Sequence, residues 1–194
     1  MNATIRNKLR NHGEAALEPL TSWLTASGIS STLPRVLATI VAVTAAWVIA
    51  TGQLQMGGLI WLSALVLFCL SSAMPGGNTV FQRLLADTLA HLTESLILVG
   101  TTVHLAATNE LLAVHYGAVT VLAVLLAGFI RARSESLGLS ADVGIATHTE
   151  RSVLLVIILI CGCPLTGVKV ILAISAITIL QRLLYVRDNT SNDW

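Results

Sequence analysis

Asp87, His91 and Glu94 are spaced i, i+4 and i+7, which puts two carboxylates and an imidazole on one face of a helix. An imidazole between carboxylates can ligate Zn²⁺ or act as a general base; the same side chains can equally form a satisfied polar cluster where helices meet. A second set lies in GFIRARSESLGLSADVGIATHTERSVLLV, residues 128–156, where Arg131, Arg133, Glu135, Glu150 and Arg151 edge two long apolar runs. Charges at the end of a bilayer-spanning helix are costly unless they pair or meet a charged ligand, so they mark a functional site.

The elements that hold these residues are apolar. The chain has 194 residues, 55% hydrophobic and 11% charged, where a soluble domain carries about 25% charged. This composition specifies an all-α integral membrane protein. A net charge of +1 without a basic run gives nucleic acid nothing to bind. Cys69, Cys161 and Cys163 lie in apolar runs and form no disulfide framework. Cys161-Gly-Cys163 can bind a soft metal, or can supply small residues that ease helix contact.

Six runs of membrane-spanning length are drawn: 34–51, 57–74, 84–107, 111–130, 150–167 and 169–185. Pro34 suits a first helical turn, Gly57-Gly58 and Gly76-Gly77 punctuate early connections, and Pro164 ends or kinks the fifth helix. Residues 1–33 show no signal peptide. There Ala16, Leu17, Leu20, Trp23 and Leu24 recur at helical spacing, as in an amphipathic helix on the membrane surface. The expected organisation is a segment 1–33, one six-helix domain 34–187 and a polar tail 188–194.

If six helices alternate, ten of the eleven Lys and Arg residues fall on one side and Lys169 alone on the other. That asymmetry places both termini in the cytoplasm. The opposite connections, near 52–56, 108–110 and 164–168, are short, so chemistry is expected on the cytoplasmic face. His104 and His115 point to the far side, and His148 lies in the loop before the fifth helix.

Residues 128–156 resemble the matching segment of the CDP-alcohol phosphatidyltransferases, six-helix membrane enzymes of phospholipid synthesis. The similarity rests on Phe129-Ile-Arg131-Ala-Arg133-Ser-Glu135-Ser-Leu-Gly138-Leu, then Thr149-Glu150-Arg151, and on the C-terminal run Leu180 to Arg187. The resemblance implies a bacterial cytoplasmic membrane, CDP-diacylglycerol and a phosphorylated alcohol such as glycerol phosphate or inositol phosphate as substrates, and membrane lipid as a partner. It also implies a homodimer or pairing with an active relative. It assigns Arg131, Arg151 and Arg182 to an acceptor-phosphate pocket, and leaves Arg133 and Glu135 as a structural ion pair.

The family's signature, D-x2-D-G-x2-A-R-x8-G-x3-D-x3-D, supplies four aspartates that hold Mg²⁺ or Mn²⁺ against a diphosphate. Aligned on Asp87, the two leading aspartates fall on Val66 and Cys69, the arginine on Met74 and the last aspartate on His91; Ala73 and Asp87 alone survive. DTLAHLTE also reads as DTLADHLTE with one aspartate deleted, and either alignment loses the last carboxylate. The expectation is therefore a homologue that keeps a basic phosphate-binding pocket but whose catalysis is lost or strongly impaired; its cofactor is Mg²⁺ or Mn²⁺ if it is active and none otherwise. The alternative is an active transferase with an atypical metal site: Asp87 and His91 catalytic, and Asp87, His91 and Glu94 as ligands. A small transporter finds less support, because no pair of broken helices marks a midplane site.

Overall fold

The structure, a computed structural model, describes residues 19, 21–22, 26–27, 30–74, 79–108, 111–139 and 147–190. Among them the helices are α1 (Thr32–Ala50), α2 (Leu54–Ala73), α3 (Val80–Ala107), α4 (Leu111–Ser136), α5 (His148–Ile160) and α6 (Pro164–Thr190). Ala16, Leu17, Leu20, Trp23 and Leu24, on which the expected surface helix rests, and the Gly76-Gly77 connection lie outside the described residues.

The outer faces are apolar. Trp47, Leu122 and Phe129 are 71%, 66% and 66% exposed, an arrangement suited to hydrocarbon rather than water. Five helices, all but α5, are long and apolar enough to cross a membrane. At 13 residues, α5 rises only about 20 Å, less than the roughly 30 Å of a hydrocarbon core.

The fifth run thus ends earlier than its hydropathy suggests. Gly162 adopts φ +70°, a conformation that breaks a helix and favours glycine. Pro164 then opens α6 instead of kinking α5, since a first-turn proline has no amide hydrogen to leave unpaired. Nearer the middle of the chain, α3 begins before residue 84. The Thr79 hydroxyl accepts from the Gln82 amide and the Gln82 side chain accepts from the Thr79 amide, a reciprocal cap.

Association of helices in lipid depends on close approach, which small residues permit. Gly57 and Gly58 lie inside α2, not in a connection, and are buried. A Cβ on Gly57 would strike Ile49 of α1, and one on Gly100 of α3 would strike the Ala46 backbone. The core between them is filled by Ile49, Trp61, Ile97, Leu98, Leu155 and Leu159. Helix α3 touches α1, α4, α5 and α6, so whatever α3 carries inward is surrounded by protein. Cys161 and Cys163 do not ease helix contact: both are exposed in the α5–α6 turn.

Gly100→Val should force α1 and α3 apart and lower stability by about 1–3 kcal/mol, the usual effect of overpacking. Thermal unfolding in detergent, compared with an exposed-face control such as Val99→Ala, measures it.

Candidate functional site

Glu94 projects from α3 into the bundle and has no solvent exposure. Arg151, 2% exposed, meets it from α5. The guanidinium donates in parallel, Nε to Oε1 at 2.8 Å and Nη2 to Oε2 at 3.0 Å. This is the paired geometry that makes arginine–carboxylate bonds strong. The start of α5 sets the register: Glu150 reaches back to accept from the Thr147 amide at 2.7 Å, which leaves Arg151 one turn inside the helix.

His148 is the first residue of α5 and shares its inner face with Arg151, three residues on. Its Nε2 lies 2.7 Å from the Ala90 carbonyl and 3.6 Å from Glu94 Oε2. The bond to the carbonyl requires the tautomer with hydrogen on Nε2. His91 stands edge-on to His148, with ring centroids 5.7 Å apart and planes at 85°. Behind His91 is Gly128 of α4, where a Cβ would come 2.8 Å from the imidazole Cε1. The next residue back, Ala127, accepts from Arg182 Nη1 at 2.5 Å. Helices α3, α4, α5 and α6 thus meet in one polar layer of His91, Glu94, His148, Arg151 and Arg182.

Asp87 lies two turns earlier on α3 and is exposed. Its electrostatic partner is Arg35, a buried residue of α1 whose Nη1 donates to the Gln82 carbonyl at 3.1 Å. Arg131 is bonded through Nε to Glu135 Oε1 at 2.9 Å, with 39% of its side chain exposed. The ion pair expected between Arg133 and Glu135 is therefore Arg131–Glu135. Residues four apart share a helix face and residues two apart do not.

Asp87, His91 and Glu94 share α3 but do not gather around a point. Among the described residues no three His, Cys, Asp or Glu side chains form a group able to hold a metal ion. The reason is local, because Arg151 takes both Glu94 oxygens. Helix α2 offers no acid to replace them. Glu150 caps its own helix and Glu135 holds Arg131, while Asp142 lies outside the described residues. A hard divalent cation requires several oxygen ligands, and this donor set does not fit one.

Two residues, one in the layer and one near Asp87, escape sequence reasoning. His148 reads as a loop residue until the α5 cap is located; its i, i+3 relation to Arg151 is the signal that could have found it. Arg35 reads as membrane anchoring, and nothing local in the sequence ties it to Asp87.

No family model matches the chain. Archaetidylinositol phosphate synthase of Methanothermobacter thermautotrophicus is 31% identical over 116 residues, 56% of this chain and 56% of that protein. The fold matches Mycobacterium tuberculosis phosphatidylinositol phosphate synthase solved with CDP-DAG bound. That match has a TM-score of 0.81 and 22% identity, covering 88% of this chain and 93% of the other. The same enzyme in complex with manganese and citrate gives 0.81 with 88% of both chains, and its apo form 0.76. The chain is similar in part of its sequence to the first of these synthases and in fold to the second. The matched sequence spans a little over half of the curated relative, and the structural likeness, at this identity, speaks for the fold.

Removing one partner of the buried pair leaves an uncompensated charge. Arg151→Ala should destabilise the protein by about 3–5 kcal/mol, whereas Glu94→Leu combined with Arg151→Met should recover most of that loss. Unfolding in detergent of the single and double variants tests the coupling.

Proposed function

We propose that this chain is a CDP-alcohol phosphatidyltransferase-like membrane protein of phospholipid metabolism in which metal-dependent transfer is lost or strongly impaired. One observation carries the reading: Arg151 occupies both oxygens of Glu94, so a guanidinium supplies the positive charge that a carboxylate layer would otherwise take from a metal. Arg35 of α1 adds an electrostatic attraction for Asp87. Metal-held diphosphate needs several anionic ligands at one point, and no such group exists among the described residues.

The likeness to enzymes solved with CDP-DAG and with manganese supports a lipid-headgroup ligand for the same face. In this reading the three arginines divide the work. Arg151 and Arg182 brace the walls through Glu94 and the Ala127 carbonyl. Arg131, the half-exposed member, meets a phosphate in competition with Glu135. The charge asymmetry supports cytoplasmic termini and a cytoplasmic headgroup site. Pairing with an active relative would bring a catalytic site beside it, whereas a homodimer would bring a second headgroup site.

An active enzyme is the second reading, and one feature favours it. The His91 Nδ1 is buried without a hydrogen-bond partner, one turn from exposed Asp87, and so is chemically placed to take a proton from an acceptor alcohol.

Transfer from CDP-diacylglycerol to glycerol phosphate or inositol phosphate, with Mg²⁺, Mn²⁺ or Zn²⁺ supplied, separates the two. The expected result is no product from protein that melts cooperatively. Metal-dependent product that disappears in Asp87→Asn would overturn the non-catalytic reading.

A further inference from the structure

Arg35 lies in the first turn of α1 and is 5% exposed. A guanidinium carries five N–H donors and no acceptor, and burying its charge is costly until those donors are used. Nη1 has an acceptor, the Gln82 carbonyl at 3.1 Å, while Nε and Nη2 have none among the described residues. That carbonyl belongs to the peptide bond joining Gln82 to Arg83, so Arg35 rests against the backbone of a second arginine. Arg83 is exposed and shares a face of α3 with exposed Asp87, four residues on. Arg35 attracts Asp87 electrostatically, yet no ion pair closes on Asp87 or Arg83 among the described residues.

This corner has changed the sign of its charge relative to the signature of the CDP-alcohol phosphatidyltransferases. Aligned on Asp87, the two leading aspartates fall on Val66 and Cys69, and the second glycine falls on Arg83. Two acids are thus lost from α2, and a cation is gained on α3 one turn before Asp87. Carboxylates reach a phosphate only through a hard cation. Guanidinium groups bind phosphate oxygens directly, two hydrogen bonds at a time.

From this arrangement we propose that Arg35 and Arg83 form a metal-independent site for a diphosphate diester, the linkage of a nucleotide-lipid, with one guanidinium for each phosphate. The site rests on the headgroup-binding reading above and names its ligand class; it is separate from Arg131, which lies on α4. The bond to Gln82 holds Arg35 in place and leaves its other donors for the ligand. Asp87 then opposes the diphosphate instead of anchoring it, the reverse of its part in a metal site.

The test is calorimetric titration of the full chain in detergent with CDP-diacylglycerol, CDP and CMP, in EDTA and in Mn²⁺. Wild type should bind CDP-diacylglycerol and CDP in EDTA, and CMP, with a single phosphate, about tenfold more weakly. Arg35→Gln and Arg83→Gln should each weaken CDP binding about tenfold, the loss of one charge-assisted contact. Asp87→Asn should tighten it several-fold by removing a like charge. Arg83 is exposed, so its variant tests the site even where Arg35→Gln fails to fold, and melting curves identify the folded samples. The proposal is overturned if CMP binds as tightly as CDP, or if CDP-diacylglycerol binds and CDP does not. EDTA-insensitive binding that both arginine variants keep, and that Arg131→Gln loses, overturns this site and leaves the headgroup reading standing. Binding that needs Mn²⁺ and disappears in Asp87→Asn overturns both, as does the absence of all binding by folded wild type.

Discussion

A carboxylate inside a bundle whose outer faces are hydrocarbon-like must be neutralised, and the way Glu94 is neutralised organises this protein. The partner is a guanidinium held by two parallel hydrogen bonds, so the charge is balanced inside the protein itself. Such a pair contributes little net stability against a well-packed apolar replacement, yet breaking it is expensive. That asymmetry fixes the position of α5: the helix must start where Thr147 and Glu150 start it, because any other register would withdraw Arg151 from Glu94.

The neighbours follow from the same constraint. His148 enters because it is one turn before Arg151 on the inner face of α5, and it contacts both Glu94 and the Ala90 carbonyl. His91 packs against His148, and Gly128 is needed behind it since no Cβ fits beside the ring. Arg182 then closes the layer on the Ala127 carbonyl. A fold shared with phosphatidylinositol phosphate synthase thus carries, on the helix where Asp87 lies, a buried acid compensated by an arginine from α5. A shared fold does not transmit an activity; the side chains at the site decide that.

Much of this was legible in the sequence. Apolar length located the helices, and the segment from Phe129 to Arg151 carried the family likeness before any coordinates. The face shared by Asp87, His91 and Glu94 followed from helical spacing. The partners did not, because Glu94 and Arg151 are 57 residues apart and hydropathy says nothing about which helices touch. The same blindness merged the α5–α6 turn into an apolar run, since Cys161 and Cys163 score as hydrophobic while sitting exposed. Gly162 before Pro164 was the available signal. The misplaced Arg133–Glu135 pair was a simpler error, correctable from helix geometry alone.

The central claim is that protein cations have taken the place of a metal, and direct Mn²⁺ binding tests it. Purified protein in detergent would be titrated with Mn²⁺ and free ion followed by electron paramagnetic resonance. The account predicts no tight site in the wild type and no change on adding a chelator. Stoichiometric Mn²⁺ uptake that Asp87→Asn abolishes would contradict it.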